Sequence, residues 1–162
     1  MHTCCFTGHR PEKLSFSEDT VRKWLALQID EAIENGSTRF ISGMQRGVDL
    51  WAAELVLERR NAGSGIRLIA ACAFPQMENG WEASWQEAYE TILAQADEKY
   101  TIAAQPDRKA YLARDRWMVD RSSKVIAVYS GSPGGTRATI NYAVKNQIDV
   151  VTFPYNEPAR TD

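Results

Sequence analysis

The sequence predicts an α/β fold: a Rossmann-like three-layer αβα sandwich around a mostly parallel sheet. Strand-like and helix-like segments alternate along the whole chain, the pattern of parallel strands joined by crossover helices. Three strand-like segments stop at glycine-containing loops that feed helices. The 162 residues, 44% hydrophobic and 25% charged, suit one domain that buries about 70% of its unfolded surface without a staple.

The elements follow in order. His2–Phe6 reads as a buried strand, broken by Thr7-Gly8-His9-Arg10-Pro11. Asp19 to Asn35 reads as an amphipathic helix with Val21, Trp24, Leu25, Ile29, Ala32 and Ile33 on one face, ended by Asn35-Gly36. Arg39–Ser42 is the second strand, and Gly43-Met44-Gln45-Arg46-Gly47 leads into a helix from Val48 to Arg60. Ile66 to Phe74 is apolar nearly throughout, as expected of a strand covered on both faces. A helix marked by Trp85, Ala88, Tyr89, Ile92, Leu93 and Ala96 precedes a weaker strand at Glu98–Ala103. A helix from Arg108 to Asp120 and a strand at Lys124–Tyr129 lead to the loop Gly131-Ser132-Pro133-Gly134-Gly135-Thr136. A helix to Asn146 and a strand at Ile148–Phe153 close the sheet. Residues 1–156 form the expected domain and 157–162 a loose C-terminal tail.

Bulk properties narrow the function. The formal net charge of −2 opposes a protein that coats nucleic acid, because phosphate neutralisation needs a basic face. The three cysteines, two of them adjacent at Cys4 and Cys5, lack metal-ligand spacing and read as small buried residues of a reducing compartment. No apolar run approaches the roughly 18 residues of a membrane span, and the chain opens on a strand without a signal peptide. The expected location is cytoplasmic, with no metal and no cofactor.

The loops at Thr7-Gly8, Gly43–Gly47 and Gly131–Thr136 fall at the carboxyl edge of a parallel sheet, where open α/β folds bind ligands. Free backbone N–H groups and helix dipoles there favour anions, and glycine permits close approach. Thr7, Ser42, Thr136 and Thr139 add hydroxyls. None of the loops matches G-x-G-x-x-G or a P-loop. Asp49 either complements a helix dipole or accepts hydrogen bonds from a ribose or a catalytic proton. At 100° per residue, Tyr111, Leu112, Met118 and Val119 form one apolar arc, with Arg114 at its edge and Asp115 near its centre. Those charges need partners, either each other or a ligand. Trp81 and Trp85 pack at the core rim or offer a base-stacking platform. His9 beside Arg10 contacts a phosphate, carries a proton, or sits idle on a surface loop.

Cys4-Cys5-Phe6-Thr7-Gly8-His9-Arg10-Pro11 resembles the opening signature of the YpsA family. So do the stretch Ile41-Ser42-Gly43-Met44-Gln45-Arg46-Gly47-Val48-Asp49-Leu50-Trp51-Ala52-Ala53-Glu54 and the segment Met118-Val119-Asp120. Ile126-Ala127-Val128-Tyr129, Gly131, Gly134-Gly135-Thr136 and Tyr142-Ala143 extend the likeness in order over nearly the whole chain. That family belongs to the SLOG superfamily, with DprA and the Lonely Guy phosphoribohydrolases. The resemblance implies a nucleotide-derived ligand of the ADP-ribose type and a sensing or regulatory role. It also implies that the strand before the last glycine loop lies directly beside the first strand, with Glu98–Ala103 at an edge.

The ligand-binding set expected on these grounds is Thr7, Gly8, His9, Arg10, Ser42, Gly43, Met44, Arg46, Gly47, Asp49, Arg114, Gly131, Gly134, Gly135 and Thr136. Asp49, Arg114 and Asp115 are the catalytic candidates, with Asp120 a further acid. Lonely Guy hydrolases carry an arginine on the helix before the glycine loop, and Arg114 falls on that position. Their glutamate after the loop is missing: Gly135-Thr136 is followed by Arg137, Ala138 and Thr139. Family members often have a small residue in place of Gln45 and Asn in place of Asp115, which makes Asp115 a substitute acid or a charge that repels phosphate. The alternatives are an N-glycosidic hydrolase and, opposed by the acidic balance, a DprA-like binder of single-stranded DNA. The expected partner is a small molecule rather than a membrane or nucleic acid, and a homo-oligomer stays open.

Overall fold

The computed structural model describes residues 2–154. The tail expected at 157–162 lies outside them. Strands β1 (His2–Gly8), β2 (Ser37–Ser42), β3 (Arg67–Cys72), β4 (Glu98–Thr101), β5 (Lys124–Val128) and β6 (Asp149–Thr152) alternate with helices. These are α1 (Glu18–Glu34), α2 (Val48–Asn61), α3 (Ala83–Gln95), α4 (Lys109–Asp120) and α5 (Gly135–Lys145). The six strands form one sheet in the order β4-β3-β2-β1-β5-β6. Every pairing among the described strands is parallel.

The period-two pattern of the strands builds the layers. Cys4, Phe6, Phe40, Leu68, Ala70, Ile126 and Val128 point into a core shared with α1, α2 and α3. Their neighbours Cys5, Ile41, Ile69, Ala71, Val125 and Ala127 point to the opposite face, against α4 and α5. The result is a three-layer αβα sandwich. Side chains on both faces explain why β3 and β5 read as nearly continuous apolar runs. All three cysteines are buried and free.

The strand order places β5 directly beside β1, with Gly8 opposite Val128, and leaves β4 at an edge. The ends of β1, β2 and β5 are therefore adjacent. Local chemistry fixes the start of α1, which lies in the same layer as α2: Ser17 caps it, its hydroxyl accepting from Thr20 N at 3.1 Å. The sequence does not reveal a short 3-10 turn at Pro11–Lys13, where Pro11 occupies a first-turn position that needs no N–H. Among the described residues no helix is long and apolar enough to cross a membrane.

Candidate functional site: a charged cleft at the carboxyl edge of the sheet

Glycine makes the edge tight. A Cβ on Gly8 would lie 2.5 Å from Val48 Cβ, so only a bare α-carbon lets the first turn of α2 rest against the end of β1. Gly47 caps α2 with φ 95° and sits against the Pro11 ring, leaving a Cβ only 2.8 Å from Pro11 Cδ. Ser42 locks the connection: its hydroxyl donates to Asp49 O at 2.9 Å and accepts from Met44 N at 3.1 Å. These constraints set Asp49 in the first turn of α2, 5% exposed and aimed back over the end of β2.

Asp49, Arg114 and Asp115 line the inner part of a cleft of about 180 Å³. Arg114 Nε donates to Asp115 Oδ1 at 2.9 Å, and Arg114 Nη1 donates to Gly43 O at 2.5 Å. Asp115 Oδ2 lies 3.1 Å from the Thr139 hydroxyl, which also reaches Gly135 O at 2.8 Å. Asp49 is less well served. Its Oδ2 accepts one bond, from Gln45 N at 3.2 Å, and its buried Oδ1 has no partner among the described residues. Burial pushes the Asp49 carboxyl up to about 7, against the pull of the nearby Arg114 charge. Neighbouring Asp115 pushes it the same way as burial. The group thus sits between acid and carboxylate at neutral pH.

The mouth is cationic. Arg10 and Lys13 line it, and neither makes an ion pair within the described residues. The Lys13 ammonium stands beside the loop before α5, 3.7 Å from where a Gly134 Cβ would be. There Gly134 precedes α5 at φ 144° with no side-chain cap, which leaves the first N–H groups of the helix without a side-chain partner, and Gly135 and Thr136 of that first turn line the cleft. His9 is 5% exposed, its Nε2 3.3 Å from the Ser132 hydroxyl and its ring 5.5 Å from Tyr129. Burial, and then the Lys13 charge, hold its pKa below the ordinary value, which favours a neutral imidazole at neutral pH. His9 is thus a packed wall residue and not an idle surface one. Among the described residues no group of three His, Cys, Asp or Glu side chains could hold a metal ion.

Comparison with known proteins fits this architecture. The profile of the YpsA family, described as the YspA SLOG family, matches residues 4–155. The chain belongs to the YpsA family. A UPF0398 protein of Bacillus thuringiensis is 27% identical over 161 residues, covering 94% of this chain and 88% of that one. A UPF0398 protein of Bacillus cereus strain Q1 is similar to the same extent. DNA processing protein A from Helicobacter pylori, solved for its single-stranded DNA binding mode, superposes with TM-score 0.67 at 18% identity. That match covers 97% of this chain and 68% of the other. DprA from Streptococcus pneumoniae gives TM-score 0.66 at 17% identity, over 97% of this chain and 52% of that one. TM1055 gives 0.61 at 14% identity, over 93% and 72%. At such identities the likeness is one of fold.

The structure sorts the residues expected at this YpsA-family cleft. Thr7, Gly8, His9, Arg10, Asp49, Arg114, Asp115, Gly135 and Thr136 line it together. Ser42, Gly43, Met44, Arg46, Gly47, Gly131 and Gly134 are not among the lining residues. Ser42, Gly43 and Gly47 act behind the wall, through the contacts given above. Met44 turns the chain at φ 62° with its side chain fully buried. Arg46 is held away by Glu12, its Nη1 and Nη2 each donating at 2.6 Å to one carboxylate oxygen. Asp120 accepts from the Tyr142 hydroxyl at 2.7 Å on the surface. Trp85 packs on Trp51 at 6.2 Å. Lys13, Gln45 and Tyr111 line the cleft without having been expected there. Tyr111 carried a signal, since it shares the apolar arc of α4 with Arg114. Lys13 carried none, because the turn that swings it inward is not a sequence motif.

Proposed function

We propose that the chain binds a phosphorylated, nucleotide-derived small molecule of the ADP-ribose class in this cleft and serves as its sensor or regulator. One observation carries the reading. Lys13 stands beside the uncapped N-terminus of α5, where the helix dipole disfavours a cation. Arg10 adds a second cation at the same mouth, and neither has an ion-pair partner among the described residues. Three positive elements facing one space are resolved by an anion, and a phosphate suits both the N–H groups and the side chains. The carboxyl of Asp49 and the Thr7 hydroxyl offer hydrogen bonds to an attached sugar.

The test is a thermal-shift and titration series with ADP-ribose, nucleoside monophosphates and ribose 5-phosphate. A ligand at 100 times its dissociation constant stabilises by about 2.7 kcal/mol. Gly135→Asp is the decisive variant. A Cβ there meets nothing closer than Asp115 Oδ2 at 4.0 Å, and an acidic residue suits a first helical turn, which offsets the repulsion from Asp115; the melting point without ligand checks that the fold is kept. The new carboxylate stands where the phosphate is placed and abolishes the shift. No stabilisation of the parent chain by any of these compounds, or an equal shift in Gly135→Asp, overturns the reading.

A second reading rests on the orphaned Oδ1 of Asp49 and its near-neutral pKa: an acid poised to protonate a leaving base at an N-glycosidic bond. Base release that Asp49→Asn abolishes would make the protein an enzyme and end the pure sensor reading. The fold is also that of a protein solved for its single-stranded DNA binding mode. Salt-sensitive binding of an oligonucleotide at submicromolar protein would establish a nucleic-acid partner.

A further inference from the structure

We infer that the ligand's nucleobase occupies a second, aromatic cavity that opens beside the charged cleft and shares the wall residue Tyr111. This rests on the reading of the cleft as a phosphate site and extends it. The charged cleft measures about 180 Å³. Pockets that enclose a whole small ligand run from about 300 Å³ upward. The cleft is therefore small for a whole nucleotide and suits a phosphate with part of a sugar.

The neighbouring cavity, about 530 Å³, lies between the segment after β3 and the segment after β4. Phe74, Met77 and Trp81 come from the first segment, Gln105 and Pro106 from the second, and Tyr111 from α4. Among the described residues Tyr111 alone lines both spaces. Its ring meets Phe74 edge-on at 5.4 Å, and Arg114 Cζ sits 5.8 Å from its centroid. The partition between the cavities is thus an aromatic ring with a charged site behind it and apolar walls in front. Trp81 is braced edge-on against the buried Tyr89 at 5.6 Å, which orients it without covering it fully. Flat rings and two prolines make a surface for a planar heteroaromatic group, and the amides of Gln76, Asn79 and Gln105 supply donors and acceptors for its edge. The ligand class is a phosphosugar with a nucleobase attached, spanning the two cavities across Tyr111.

Isothermal titration of the full chain with ADP-ribose and with ribose 5-phosphate tests this. The parent chain binds ADP-ribose more tightly. Trp81→Ala weakens ADP-ribose about tenfold, the effect of losing one stacked base, and leaves ribose 5-phosphate unchanged. Gln105→Trp, at an exposed loop position where the fold tolerates bulk, fills the second cavity and gives the same split. Equal affinity of the parent chain for both compounds overturns the second cavity while the cleft stands. So does a loss shared alike by both compounds in Gln105→Trp. If ribose 5-phosphate and ADP-ribose both fail to bind the parent chain, the cleft reading falls and the second cavity with it.

Discussion

Asp49 Oδ2 and Arg114 Nε converge on one bare α-carbon. A Cβ built on Gly43 would lie 2.9 Å from each of them. The same residue offers its carbonyl to Arg114 Nη1. Gly43 is thus the spacer that lets a carboxyl from α2 and a guanidinium from α4 meet over the end of β2. Its backbone needs no left-handed conformation, so its requirement is space alone.

Gly43→Ala therefore forces two buried polar groups apart. The expected cost is about 1–3 kcal/mol, as for overpacking a dense interior. Gly135→Ala is the matched control, neutral or stabilising, because its Cβ has 4.0 Å of room and alanine is the better helix former. Urea denaturation compares the two. Equal midpoints for Gly43→Ala and the parent chain would remove the spacer role.

Arg114→Met leaves Asp115 and Asp49 buried without their cation. Breaking a buried pair in this way costs about 3–5 kcal/mol. The loss depends on pH, because Asp49, raised by burial and now without the Arg114 charge that lowers it, recovers by taking up a proton. The deficit against the parent chain is therefore largest above pH 7 and shrinks towards pH 5. A deficit that is flat across that range would show that the arginine acts by packing and not by charge.

Much of this was legible in the chain and some was not, for physical reasons. β3 and β5 are readable because burial on both faces leaves a continuous apolar run, as in Val125-Ile126-Ala127-Val128. The helices were readable from their stripes and from Asn35-Gly36. The adjacency of β5 to β1 followed only from the family resemblance, since an alternating pattern is compatible with several strand orders. The cleft divided along the same line. Loop glycines and Asp49 announce themselves by type and spacing. Arg46 belongs to the expected ligand-binding set, yet it pairs with Glu12, 34 residues away, a partnership no local pattern encodes. Tyr111 and Phe74 meet across two elements, so the shared wall of the two cavities is visible only once the sheet is assembled.

The raised pKa of Asp49 gives stability a defined slope with pH. Its ordinary value is 3.8 and its folded value about 7. Between those values the folded chain holds a proton that the unfolded chain has released. Stability therefore falls as pH rises through this window and levels off above about 7. Asp49→Asn lacks the proton, so the parent chain loses stability relative to it by at most roughly 4 kcal/mol between pH 4 and pH 8. Denaturant midpoints of the two proteins across pH measure the difference, and carbon NMR of the Asp49 carboxyl gives the midpoint directly. Titration near 4 would contradict the burial argument.

Lys13 separates a binding group from a stabilising one. In the free protein its ammonium beside the N-terminus of α5 is a mild electrostatic liability. Lys13→Ala then leaves stability within about 0.5 kcal/mol of the parent chain, with the difference favouring the variant. A bound phosphate reverses the sign, because the same ammonium now faces an anion. Affinity for ribose 5-phosphate falls roughly tenfold, the worth of one hydrogen bond to a charged group. The gap narrows at high salt, where the Debye length drops to a few ångströms. Lys13→Glu widens the gap further at low salt, since it adds repulsion to the loss of attraction. Equal affinities for the parent chain and both variants would remove Lys13 from the anion site and leave its placement to the turn at Pro11 alone.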